Sequence, residues 1–151
     1  MKENLKSIDL GEGLGDLIFG MSREEVRKML GEPTEIDGNP FDDKVGERTE
    51  NWHYDELKLS LSFQEPLEWE LDTISVTDSF YELNQQSLIG KKIKLVKGML
   101  EEMDITDLEM EDHSDENNKK HTLLTSDAFL SNFWFDDGVL REIQWGPEDD
   151  V

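Results

Sequence analysis

Glu56-Leu57-Lys58-Leu59-Ser60-Leu61-Ser62-Phe63-Gln64 alternates strictly between apolar residues and polar ones. A period of two is that of a strand, and it sets Leu57, Leu59, Leu61 and Phe63 on one face with small or charged residues on the other. The stretch therefore predicts a sheet with one covered face. After a turn at Glu65-Pro66, the alternation returns in Leu67, Trp69 and Leu71, then resumes out of phase at Ile74 and Val76. The slip between Leu71 and Ile74 predicts a β-bulge.

Upstream lies a helix signal. In Gly20-Met21-Ser22-Arg23-Glu24-Glu25-Val26, Ser22 can cap a helix and Glu25 can complete a capping box. Val26, Met29 and Leu30 form its apolar stripe, Gly31 supplies a left-handed stop, and Pro33 prevents continuation. Glu24, Arg27 and Lys28 face outward, for which a solvated face is a sufficient account. From Thr34 to Glu50 the chain is rich in Asp, Gly and Glu, with Pro40 inside, and reads as a long loop or a weak edge element.

Downstream, Ile89-Gly90 opens a second helix through Met103, with Ile93, Val96, Met99 and Leu100 as its buried stripe. Asp104 to Met110 and His121 to Thr125 are weaker strand candidates around a polar turn, Glu111 to Lys120. Phe129 to Phe135 reads as a strand, Asp136-Asp137-Gly138 as a tight hairpin turn, and Val139 to Trp145 as the return strand. Gly20, Val26, Met29 and Leu30 recur as Gly90, Val96, Met99 and Leu100 at one constant offset. Leu71, Ile74 and Val76 likewise correspond to Leu140, Ile143 and Trp145, with the same phase slip. The expectation is a single α+β domain over residues 1–151, built from two tandem helix-plus-antiparallel-meander units at about 14–78 and 87–146. The two units would form one sheet with the helices packed on one face.

Composition narrows the partners. The 151 residues carry 37 acidic against 15 basic side chains, a formal charge of −22. Phosphate binding needs clustered Lys and Arg, so neither nucleic acid nor an anionic membrane is an expected ligand, and a basic protein is the natural complement. Solubility alone is the alternative reading of the acidity. With four Trp and seven Phe, the chain has enough to bury to escape disorder. No cysteine is present, which excludes disulfides, thiolate catalysis and Cys-based zinc sites. Residues Met1 to Lys6 are not followed by the apolar stretch of a signal peptide, so a cytoplasmic location is expected.

The phrase Leu14-Gly15-Asp16-Leu17-Ile18-Phe19-Gly20-Met21-Ser22-Arg23-Glu24-Glu25-Val26, running on to Leu30-Gly31-Glu32-Pro33, resembles the opening of the outer-membrane-assembly lipoprotein family with the SmpA/OmlA-type fold. In that family a G-M-(S/T)-x-x-x-V … L-G-x-P helix precedes an antiparallel meander with an aromatic-rich strand. Trp52-His53-Tyr54 followed by Leu57 to Phe63 is similar to that continuation. A doubled unit also looks like the tandem architecture of the β-lactamase inhibitor proteins, whose sheet grips a target protein. The chain departs from both in lacking a lipid-bearing Cys, the inhibitors' cysteines and a secretory signal, which argues against an envelope role. In fold, charge and size it is more similar to bacterial toxin-immunity proteins.

Catalytic and metal motifs are not found. Gly11, Gly13 and Gly15 form a G-x-G-x-G stretch without the rest of a phosphate loop, and read as a flexible approach to the strand or loop before the helix. His53, His113 and His121 have no zinc spacing. Asp112-His113-Ser114-Asp115-Glu116-Asn117 lacks the EF-hand order of oxygen ligands and reads as a solvated turn. No serine stands in a nucleophile elbow or pairs recognisably with a histidine. No enzyme activity, cofactor or metal is therefore expected.

The sheet face opposite the apolar one is expected to carry Glu56, Lys58, Ser60, Ser62, Glu68 and Glu70 from the first unit and Trp134, Glu142 and Gln144 from the second. A tryptophan among acidic and small polar residues has the composition of an interface anchor. The partner-binding set is therefore Glu56, Ser60, Ser62, Glu68, Glu70, Trp134, Glu142 and Gln144, with an ordinary hydrated face and a covered Trp134 as the alternative. The expected function is that of a bacterial immunity protein, monomeric or weakly dimeric, which neutralises a basic toxin domain such as a nuclease by occlusion. A cytosolic adaptor or assembly domain with a non-toxin protein partner is the other reading.

Overall fold

The computed structural model describes residues 3–38, 48–117 and 120–147. The stretch that opens the sequence reading forms a strand, β6 (Leu59–Gln64), in the interior of an eight-stranded sheet. The chain first forms β1 (Ser7–Asp9), β2 (Gly13–Leu14), β3 (Leu17–Ile18) and α1 (Arg23–Leu30), then β4 (Glu35–Gly38) and β5 (Thr49–Tyr54). After β6 come β7 (Glu70–Val76), β8 (Glu82–Leu83), β9 (Gln86–Ser87), α2 (Ile93–Glu102), β10 (Leu108–Asp112), β11 (His121–Ser126), β12 (Ser131–Asp136) and β13 (Val139–Trp145). The large sheet runs β10-β11-β12-β13-β7-β6-β5-β4, antiparallel throughout. Its two four-stranded halves meet where Ile143, Gln144 and Trp145 pair with Val76, Ser75 and Ile74.

The expected α+β fold, with one sheet covered on one face by helices, is overturned. The chain is mostly β, and it has a second sheet of order β3-β2-β1-β8-β9. The physical reason lies in the segments ahead of each helix, whose two- and three-residue strands are too short to show a period. Ser7 and Ile8 pair in parallel with Glu82 and Leu83, and the Glu82 N–H donates to the Lys6 carbonyl at 2.9 Å. Helix α1 contributes only Val26 to the fully buried set, and α2 only Val96 and Leu100.

Two other expectations need correction in the same region. The glycines of G-x-G-x-G are not a flexible approach: a Cβ on Gly13 would lie 2.0 Å from the Leu17 carbonyl oxygen, and one on Gly15 1.9 Å from that of Asn4. They are places where backbones meet too closely for any side chain. Arg27 is not merely solvated, because its guanidinium lies 4.8 Å from the Trp52 ring centre. Arg23 similarly covers Trp69 at 4.4 Å and pairs with Glu50 at 3.0 Å.

The local signals worked where they were strong. Ser22 Oγ accepts from the Glu25 N–H at 3.1 Å, and Glu25 returns the bond to the Ser22 N–H at 3.2 Å. Ser62 pairs with Thr73 but Phe63 with Leu71, which leaves Asp72 as the extra residue of a bulge. Trp134 pairs with Glu142 but Phe135 with Leu140, so Arg141 is the extra residue of another. The hairpin turn holds Asp137 and Gly138 at φ 52° and 78°, the left-handed pair such a turn needs. The second helix begins at Ile93 rather than Ile89. Leu57 leaves the alternation for a 3-10 turn, Asp55–Leu57, and Leu130, at φ 46°, precedes β12 in a turn. Residues 39–47 of the expected loop and 118–119 of the polar turn lie outside the described residues.

The core gathers residues of both sheets and both helices into one cluster, including Leu14, Leu17, Trp52, Phe63, Ile74, Phe133 and Trp145. The opposite face of the large sheet is mostly polar, with Leu123, Trp134 and Val139 as apolar members near the β11–β13 end. Among the described residues, no helix is long and apolar enough to cross a membrane.

Candidate functional site

Because Trp52, Leu61, Ile74, Ile143 and Phe133 turn toward the core, the pleat turns their strand neighbours the other way. One row of that polar face runs across seven strands: Thr125, Asn132, Gln144, Ser75, Ser60, His53 and Glu35. Beside it, Thr73, Ser62, Asn51 and Asp37 are in register on β7, β6, β5 and β4. Where the rows meet lies a groove of about 360 Å³, lined by Asn51, His53, Ser60, Ser62, Thr73, Ser75, Thr77, Glu142 and Gln144. A larger hollow of about 600 Å³ lies elsewhere, between Ser7, Asn84, Met103 and Phe129, and gathers no comparable set of cross-strand hydrogen bonds.

The charge of the face is one-sided. Among the described residues its paired positions hold seven carboxylates, namely Glu35, Asp37, Glu70, Glu109, Glu111, Asp136 and Glu142, and no lysine or arginine. Arg141 is the extra residue of its bulge rather than a paired position. Glu142 sits in the groove and accepts from Ser75 Oγ at 2.5 Å.

At the β4 edge, His53 joins two strands. Its Nε2 lies 2.8 Å from Asp37 Oδ2 and its Nδ1 2.8 Å from Ser60 Oγ. Asn51 Nδ2 donates to the other Asp37 oxygen at 3.1 Å. The Asn51 bond first, and the His53 bond after it, hold the Asp37 carboxyl below the usual carboxylate range. Asp37 is therefore an ionised acceptor that fixes the His53 proton on Nε2. In the neutral ring Nδ1 then accepts the Ser60 hydroxyl.

Asp37, His53 and Ser60 have the connectivity of an orienting acid, a base and a nucleophile. The surroundings do not favour acyl transfer. Ser60 lies mid-strand with ladder partners on both sides, His53 and Ser75, so nearby backbone N–H groups are committed to the sheet rather than gathered into an oxyanion hole. The Glu142 carboxylate on the same groove would also oppose a developing negative charge. Among the described residues no group of three or more His, Asp or Glu is placed to hold a metal. In the acidic turn, Asp112 accepts the Ser114 N–H at 2.9 Å and Asp115 that of Asn117 at 2.8 Å.

Of the residues singled out from sequence, Ser60, Ser62, Glu142 and Gln144 line the groove together. Trp134 is the register partner of Glu142 on the same face. Its ring is not bare: His121 stacks on it at 4.8 Å and 12°, and His113 meets it edge-on at 5.2 Å. Glu70 stands at the far end of the face opposite Gln64. Glu56 and Glu68 do not join them, since Glu56 lies in the Asp55–Leu57 turn and Glu68 follows the Glu65–Leu67 turn at φ 55°. Asn51, His53, Thr73 and Ser75 were missed. The alternation of Asn51 and His53 with buried Trp52 and Tyr54 was the signal that places them beside Ser60 and Ser62.

Comparison with known proteins finds no matching family model, no matching curated relative and no matching solved structure.

Proposed function

We propose that this chain is a protein-binding inhibitor of the immunity type, acting in the cytoplasm, which neutralises a basic bacterial toxin domain by covering its working surface. The observation that carries this reading is the polar sheet face, which among the described residues has seven carboxylates and no lysine or arginine at its paired positions. A one-signed face of that extent attracts a cationic surface over about a Debye length, roughly 8 Å at physiological salt. The sheet gives it a fixed geometry, so little ordering is required of the inhibitor on binding. A toxin that acts on nucleic acid needs a cationic surface for its substrate, and carboxylates on a rigid sheet compete for that surface.

The test is to co-express the chain with the products of genes adjacent to its own and to measure binding across a salt series. A one-to-one complex that weakens as salt rises and abolishes the partner's toxicity is expected. A salt-insensitive complex with a non-toxic protein would instead establish an adaptor.

A further inference from the structure

A census of hydrogen-bond donors in the groove goes further than its charge. With His53 neutral and its proton held by Asp37 on Nε2, the Ser60 hydroxyl donates to Nδ1. Ser62 Oγ donates to Asn51 Oδ1 at 2.7 Å, and Ser75 Oγ to Glu142 Oε2 at 2.5 Å. Thr73 donates to Asp72 at 3.3 Å and Thr77 to the Lys58 carbonyl at 3.4 Å. Five hydroxyls therefore spend their protons on the protein and present lone pairs to the groove, next to the Glu142 carboxylate. The remaining donors are the side-chain amides of Asn51 and Gln144, and the excess of acceptors beside a carboxylate favours a ligand that brings donors and positive charge. Arginine supplies five N–H donors in a planar fork and no acceptor, whereas lysine offers one compact ammonium. Acceptors spread over β6, β7 and β13, about 4.8 Å from strand to strand, suit the fork.

We infer that the groove is an arginine-binding site, which receives a guanidinium from the partner against Glu142, Ser75, Ser60 and Ser62. This names the anchor of the inhibitor surface proposed above and rests on that reading for its biological partner.

The test uses the full chain, ¹⁵N-labelled, titrated with N-acetyl-arginine amide and with the corresponding lysine and citrulline amides. The arginine probe is expected to shift amides of β6, β7 and β13 saturably and to bind about tenfold more tightly than either comparison, since citrulline lacks the charge and lysine lacks the planar fork. Glu142→Gln is expected to remove most of that preference and Ser75→Ala part of it, with near-UV circular dichroism verifying that both remain folded. Equal responses to arginine and lysine, centred on Glu109 and Glu111 or unchanged in E142Q, would overturn the site. A toxin complex that forms undiminished with E142Q would also overturn the anchor while leaving the inhibitor reading intact. Failure of every basic neighbour to bind would end that reading, with the amide titration still deciding the groove.

Discussion

The indole N–H of Trp145, at the end of the last strand, donates to the Gly13 carbonyl at 3.1 Å, tying the large sheet to the small one across 132 positions of sequence. Trp145 is buried and Gly13 is packed against Leu17. Trp145→Phe keeps most of the packing and deletes the donor, for an expected loss of about 1–2 kcal/mol. Trp145→Ala adds a cavity and should cost about 3–5 kcal/mol. Urea unfolding of the two variants checks both, and a Trp145→Phe variant as stable as the parent would show that the hydrogen bond contributes nothing.

Helix α2 lacks what α1 has. Its N-cap, Lys92, has φ −76° and ψ 153° with no side-chain bond, and Ser22 at the start of α1 has φ −75° and ψ 162° with one. The backbone is thus already shaped for a cap, and a lysine there also opposes the helix dipole. Lys92→Ser should raise stability by about 0.5–1 kcal/mol, through a bond to the Leu95 N–H equivalent to that from Ser22 to the Glu25 N–H. An unchanged denaturant midpoint would refute it.

These cases show which parts of the fold could be read in advance. Signals confined to one element were legible: the Ser22 cap, the Asp137-Gly138 turn, and the phase slips that became bulges at Asp72 and Arg141. The pairing of Ser7–Ile8 with Glu82–Leu83 was not, because strands of two or three residues have no period and the partner lies over seventy residues away. The polar face was half legible. Alternation gave Ser60 and Ser62, but the turns at Asp55–Leu57 and Glu65–Leu67 removed Glu56 and Glu68. The histidines looked scattered because cross-strand register, not sequence spacing, brings His53 to Ser60 and His121 to Trp134.

Alkaline pH should unfold the chain through two tyrosines. Burial pushes the Tyr54 hydroxyl, bonded to the Gly31 carbonyl at 2.9 Å, up to about 12, and likewise that of Tyr81, bonded to the Leu57 carbonyl. The unfolded tyrosine ionises at 10.0. Each contribution is therefore complete below pH 10 and is lost as pH rises toward 12, up to about 2–3 kcal/mol for a shift of this size. Y54F and Y81F should flatten the fall of the urea midpoint over that range, and an unchanged slope would contradict the assignment.

Asp37 and Asp72 respond to acid in opposite directions. Asp37 is held low by Asn51 and His53, so its contribution is present above the unfolded value of 3.8 and disappears as pH falls through the lower folded one. Asp37→Asn should therefore reduce the acid sensitivity of stability and free the Ser60–His53 pair. Asp72, at its bulge, is pushed up by burial despite the bond from Thr73. Its ionisation at neutral pH works against folding, because the contribution of Asp72 to stability is greatest below pH 3.8 and declines as pH rises through the raised value. Asp72→Asn retains an oxygen for the Thr73 hydroxyl and sheds the charge, so it should stabilise the chain at pH 7 by less than about 1 kcal/mol. Paired urea titrations at pH 4 and pH 7 separate the two. A gain for D72N that is larger at pH 4 than at pH 7 would mean that burial of the charge is not what raises the carboxyl, and that the bulge itself sets the cost.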